Sequence, residues 1–284
     1  MRPYQRRGKC IAINIGVVIC LLIWVSICGG TDRWSRQDEK GLWVSPEASF
    51  RYGEIHGYLQ TPDGGGVGTT SHHRPTFNEL DIKYAAMGDV SLTAGLRNHA
   101  LYGGARVVYL SGSDVLDSPL ISRNTTFPAG TLVKGVVHLS WYRFGYQHRF
   151  LFSSDRGTAL GLHPAVGLAI FDYKYTLNGA GGLFANRNYI KLAPQIGLDW
   201  EWRPKGRFSV SGGVWGALPI YDMPLILSAE VVGKFRLWGA EGSRGLVFLG
   251  IGYDRVEYHD RQNLPNHIKA DIGPEVIVGL EVSF

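Results

Sequence analysis

Apolar and polar residues alternate along most of this chain, and past the first thirty residues no stretch repeats them with a helical period. The longest run is 270–284. Ile272, Pro274, Val276, Val278, Leu280, Val282 and Phe284 share one face. Asp271, Gly273, Glu275, Gly279, Glu281 and Ser283 share the other, joined by Ile277. A period of two over that length predicts one long strand. Strands of soluble sheets usually stop at about 5–6 residues.

The pattern recurs. In 76–86, Leu80, Ile82, Tyr84 and Ala86 oppose Glu79, Asp81 and Lys83. In 189–202, Ile190, Leu192, Pro194, Ile196, Leu198, Trp200 and Trp202 oppose Lys191, Gln195, Asp199 and Glu201. In 224–238, Leu225, Leu227, Ala229, Val231, Phe235 and Leu237 oppose Ser228, Glu230, Lys234 and Arg236. Segments 159–172, 206–218 and 245–258 alternate similarly. Three less regular segments, 48–60, 91–111 and 130–152, complete a set of ten. The last is expected to change phase near Trp141 and Tyr142 through a bulge. Eight strands follow if 91–111 or 130–152 is misread, and twelve if either is a hairpin. Connections alternate in length. Short ones fall near 87–90, 153–157, 204–206 and 241–244. Longer ones fall near 61–75, 112–129, 177–188 and 259–269, with a shorter member at 219–224.

The first thirty residues differ. Arg2, Arg6, Arg7 and Lys9 precede an uncharged apolar stretch, 10–28. That order reads as a secretory signal over 1–30, with an uncleaved membrane anchor as the alternative. Cys28 as a lipid acceptor is disfavoured by the bulk of Ile27 before it. A short periplasmic segment, 31–47, and a barrel over 48–284 are expected to follow. Cys10, Cys20 and Cys28 all lie in the leader, so the body has no disulfide, thiol nucleophile or thiolate metal site.

Composition agrees. Hydrophobic residues make up 45% and charged residues 19%, which excludes a disordered chain. Aromatics at 12% and 38 glycines suit strands and turns. A near-neutral mean hydropathy excludes a polytopic helical membrane protein but not a membrane barrel, whose strands alternate. The net charge is +5, from 29 basic and 24 acidic residues; without the four leader cations 25 basic residues remain, a balance of +1. No basic field points to nucleic acid.

Long alternating strands, an export leader and the ending Glu281-Val282-Ser283-Phe284 together resemble the small outer-membrane β-barrel proteins of Gram-negative bacteria, broadly the OmpA-like and OmpW-like group. The resemblance covers about 45–284. It implies an all-β fold: a closed antiparallel transmembrane β-barrel with short periplasmic turns, longer extracellular loops and many membrane crossings. It also implies outer-membrane lipid and lipopolysaccharide as surroundings. The barrel-assembly machinery would be a partner during insertion, reading a C-terminal signal at Phe284. A monomer is expected.

A soluble barrel would bury the apolar face instead. Strand length, the small residues on the polar faces and the terminal Phe favour the membrane form. Ten strands make a bore narrow enough for side chains to fill. The polar faces then predict a lumen network of Glu79, Asp81, Lys83, Lys191, Asp199, Glu201, Glu230, Lys234, Arg236, Asp271, Glu275 and Glu281. Both signs are present, so pairing is expected.

This predicts an envelope protein with a polar, side-chain-filled lumen. The alternatives are a narrow channel or lateral-exit transporter for small solutes or hydrophobic molecules, and a hydrolase at the rim. No cofactor or metal is expected. The Gly-rich run at 64–68 lacks the Lys-Ser/Thr of a phosphate loop. Ser71-His72-His73-Arg74 reads as a solvated loop. His138 and Ser140 face the same way, as lipid-modifying barrels require. Asp114, Asp117, Asp172, Asp254, His259, Asp260 and His267 are candidates for the rim, and geometry decides such a site.

Overall fold

In lipid, every backbone polar group has to find a partner within the protein, and a closed barrel does this without an open edge. The computed structural model describes residues 41–62, 73–153, 158–204, 206–240, 243–263 and 265–284. The leader, residues 31–40, the Gly-rich run at 64–68, Ser71 and His72 lie outside the described residues.

Ten strands form the wall: β1 (Leu42–Gln60), β2 (Tyr84–Leu96), β3 (His99–Val115), β4 (Leu132–His148), β5 (Ala159–Gly179), β6 (Phe184–Arg203), β7 (Phe208–Ala217), β8 (Leu225–Ala240), β9 (Ser243–His259) and β10 (His267–Ser283). Each pairs antiparallel with its neighbours in sequence, and β1 pairs with β10 to close the ring. Phe150–Ser153 continues β4 along β5. Both described chain ends and the tight turns share one end. The longer loops share the other. This is the architecture of a bacterial outer-membrane barrel.

The outward face shows where lipid lies. A band of exposed apolar residues, among them Val214, Leu249, Ile251, Val276 and Val278, girds the barrel. Outward aromatics mark its edges: Tyr52, Tyr84, Tyr109 and Tyr253 toward the loops, and Tyr146, Phe150, Trp202 and Phe208 toward the turns. Above the band the outward face turns polar, with Glu54, Lys174, Glu257 and Lys269. The inward face does the opposite. Within the band it carries charge. Above it, Ile55, Leu59, Phe171, Tyr173, Tyr175, Leu177, Tyr258 and Ile268 pack into one apolar core.

β10 shows how an unbroken alternation permits this inversion. Ile55 of β1 pairs with Ile272 and Gly53 with Glu275, so β10 holds one extra residue between them. The ladder to β9 shifts at the same place. The extra residue is a bulge, and Gly273 within it adopts a φ of +138°, a region that disfavours side chains. Even-numbered residues therefore face inward before the bulge, as Ile268, Ala270 and Ile272 do. They face lipid after it, as Val276, Val278 and Leu280 do.

The first third departs from expectation while the total stays ten. The expected strand 91–111 is a hairpin turning at Arg97 and Asn98, with Leu96 paired to His99. The expected turn at 87–90 lies inside β2. The expected strand 76–86 is a 3-10 turn, Asn78–Leu80, leading into β2. The reason is local. Thr76 Oγ1 donates to Glu79 Oε2 at 2.8 Å, and Glu79 N–H donates back to Thr76 Oγ1 at 3.2 Å. This reciprocal Thr-x-x-Glu pattern closes a helical turn. Asp81 ends it in the left-handed region. The phase change expected near Trp141 is absent: the β4–β5 ladder runs without a shift. The chemistry of one face changes instead, from Val137, Leu139 and Trp141 to Arg143 and Gln147.

Two outer segments fill the mouth. Phe77, Leu80 and Ile82 insert into the apolar core. A small hairpin, Leu120–Ser122 with Thr125–Phe127, brings in Leu120 and Phe127. It is tied down by Ile121 N–H to the His73 carbonyl and Arg123 N–H to the Thr61 carbonyl. The Tyr175 hydroxyl bonds both Thr61 and Ser122 from beneath.

Leu249 stands outward in mid-band, 63% exposed. Leu249→Arg should lower folding stability in vesicles by about 2–4 kcal/mol, the cost of a cation facing the bilayer interior. Lys174→Leu, above the band, should change it by under about 0.5 kcal/mol. Equal effects in urea titrations would show the band misplaced.

Candidate functional site

A belt of buried charge crosses the bore below the apolar core. Arg51 of β1 and Arg106 of β3 supply the cations; Asp89 of β2, Glu230 of β8, Asp254 of β9 and Glu275 of β10 supply the acids. Arg106 Nε donates to Asp89 Oδ2 at 2.5 Å, and its Nη1 spans the bore to Asp254 Oδ2 at 2.5 Å. Arg51 Nη2 bonds Glu230, and Arg51 Nη1 reaches Glu275 Oε2 at 3.5 Å. Ser228 Oγ donates to Asp254 Oδ1 at 2.5 Å. Arg51 and Arg106 are each 2% exposed, and Asp254 and Glu275 fully buried, so these charges pack against one another across the bore at this level.

Beneath the belt the bore widens into a cavity of about 550 Å³ that opens at the periplasmic end. Glu281 accepts from Lys234 Nζ at 2.7 Å, and Glu201 from Arg203 Nη2 at 2.6 Å. Asp199 accepts from Trp215 Nε1 at 2.7 Å and from Gln147 Nε2 at 3.0 Å. Trp43, Arg149 and Arg244 stand at the mouth, with Arg149 stacked 4.3 Å over the Trp43 ring.

The twelve residues expected in the lumen separate into groups. Glu230 and Glu275 belong to the belt. Asp199, Glu201, Lys234 and Glu281 line the cavity. Arg236 sits lower, in a crevice with Glu201, Arg203 and Arg244. Lys191 sits higher, 5.1 Å over the Tyr258 ring. Four do not reach the bore. Glu79 bonds Thr76 in the outer turn, and Asp81 pairs with Lys83 at 2.6 Å on its exposed side. Asp271 faces outward, because the bulge at Gly273 reverses the parity of β10; it meets Lys269 at 3.0 Å.

The belt's other members went unread. Asp89 fell in an expected turn, and Arg106 in a segment read as one strand. Arg51 lies in an irregular segment, as does Arg143 of the cavity wall, and Asp254 is a rim candidate in the sequence. A readable signal existed: Asp89, Ser91 and Thr93 alternate with Val90, Leu92 and Ala94, as Glu47, Ser49 and Arg51 do with Ala48, Phe50 and Tyr52.

The remaining candidates are scattered. His267 Nε2 lies 3.1 Å from Glu257 Oε1 and edge-on to His259. Asp260 instead holds its own loop, accepting from Asn266 N–H at 2.9 Å. Asp114 and Asp117 are exposed. His138 and Ser140 share the outward face of β4, with Asp172 paired across from Ser140. The His138 ring packs edge-on against Tyr109. His163 lies in the cavity wall. Phe284 follows β10 and exchanges two backbone hydrogen bonds with Val44. Among the described residues no three His, Cys, Asp or Glu side chains gather as a metal site.

The chain matches no family model and no curated protein. Similar solved structures include the outer membrane protease OmpT from Escherichia coli, at 11% identity over 84% of this chain and 97% of that one, with a TM-score of 0.43. Ail, the attachment invasion locus protein of Yersinia pestis, shares 9% identity over 84% and 99%, with a TM-score of 0.34. A FadL homologue from Pseudomonas aeruginosa shares 10% over 86% and 90%, with a TM-score of 0.29. Likeness at this level carries no argument about function.

Arg106→Met leaves Asp89 and Asp254 buried without their main cation. It should cost about 3–5 kcal/mol, the usual loss when one partner of a buried pair is removed. Adding Asp254→Leu should restore part of that stability. Urea titration of the three barrels measures both effects, and a neutral Arg106→Met would remove the belt's structural role.

Proposed function

We propose that this protein is a non-conducting barrel with a structural role in the outer-membrane envelope. One observation carries the reading: the Arg51–Arg106 belt and the apolar plug above it are stacked across the same bore. A porin of this strand number would need a continuous open path, and the buried ion pairs of the belt, with apolar side chains packed above them, support the reading that it has none. The polar outward face above the band suits lipopolysaccharide headgroups, with Arg255 and Lys269 among its cations. Outer-membrane lipid would surround the band. The assembly machinery would read Phe284, and the closed ring needs no second copy to cover an edge.

Single-channel recording on the chain refolded into a planar bilayer tests this. Folded barrel, identified by heat-modifiable migration on a gel, should give no discrete steps. Stable unitary conductance would overturn the proposal in favour of a narrow solute channel.

A further inference from the structure

A sealed barrel has no need of a large cavity at one end. We propose that the periplasm-facing cavity is a binding site for a small amphiphilic anion: a carboxylate or phosphate group on an apolar or aromatic body. Its volume of about 550 Å³ lies within the range of small-molecule sites.

Arg143 is the anchor. Cations and acids both line the cavity, but the acids are largely occupied. Glu281 is taken by Lys234, Glu201 by Arg203, and both oxygens of Asp199 by Trp215 and Gln147. Arg143 has no carboxylate at ion-pair distance among the described residues; Asp89, Asp199 and Glu230 act on it only from farther away. Its guanidinium lies 5.2 Å from the centre of the Trp215 ring. That leaves a planar fork of donors free for an oxyanion.

An apolar wall adjoins it. Trp215 and Tyr102 meet edge-on with ring centres 5.0 Å apart. Gly145 and Gly167 make room for Tyr102, since a Cβ at either would lie under 3.0 Å from its hydroxyl. That hydroxyl and His163 Nε2 are buried in the wall with no hydrogen-bond partner among the described residues. A charged fork beside a rigid aromatic pair selects a ligand with one anionic and one apolar end. Arg149 and Arg244 at the mouth favour its entry from the periplasm.

The test uses the full chain in lipid nanodiscs and follows quenching of tryptophan fluorescence, with calorimetry for stoichiometry. Phenyl phosphate probes a free anion, dihexanoyl phosphatidate a lipid headgroup, and phenol the apolar body alone. Phenyl phosphate should bind once per barrel and at least about tenfold more tightly than phenol, the worth of a charge-assisted hydrogen bond. Arg143→Gln should weaken it by a similar factor, and Arg143→Lys by less. Binding of the phosphatidate alone, with the same dependence on Arg143, would support the site and identify a lipid as the source. Equal affinity for phenol, unchanged binding in a folded Arg143→Gln barrel, or no binding of either anion would overturn it and leave a water-filled vestibule. If Arg143→Gln fails to fold, the comparison of phenol with phenyl phosphate on the native chain still decides. Conductance has no bearing on this result, so the sealed-bore reading stands or falls separately.

Discussion

Hydrocarbon offers no hydrogen bonds, and most of this structure follows from that. A strand crossing the membrane has to pair along both edges, so the sheet closes through β1 and β10. Once closed, the wall separates two solvents along its length. Within the band the outward positions meet lipid and are apolar, which leaves the bore to the charged residues. Above the band the outward positions meet water, and the interior can close over an apolar core as in a soluble protein.

The belt of Arg51, Arg106 and their acids lies where these regimes meet. Buried ion pairs contribute little net stability, because desolvation offsets much of their attraction. They do fix geometry: Arg106 joins Asp89 on the neighbouring strand to Asp254 across the bore, so the wall cannot widen there without exposing a bare charge. Among the described residues, apolar side chains fill the outer half of the bore and a cavity opens at the inner end. The apolar upper half and the periplasmic cavity are thus two consequences of one arrangement, and the two proposed roles rest on different parts of it.

Alternation, with strand length and the terminal Phe, carried the fold class and the outward faces of β5 to β9; the total of ten held because the hairpin hidden in 91–111 offset the strand expected at 76–86. The outward faces depend only on period, strand length and which face suits lipid, and all three are local to a segment. The boundaries of β2 and β3 were harder. A hairpin turning on Arg97 and Asn98 lacks the usual glycine signal, and the hydroxyl–carboxylate exchange of Thr76 and Glu79 overrode an alternating run.

The interior was legible only in part, for a physical reason. Alternation says that two faces differ, not which solvent each one meets. One extra residue at Gly273 reverses that assignment, so Asp271 and Glu275 end on opposite sides of the wall although they stand four positions apart and the period is two. Ion pairing across a bore is equally silent in sequence, since Arg106 and Asp254 stand 148 positions apart and meet only because the ring closes. Period and chemistry determined that this chain forms a membrane barrel. Tertiary structure decided which charges face each other inside it, because that depends on register, bulges and closure, which no single segment contains.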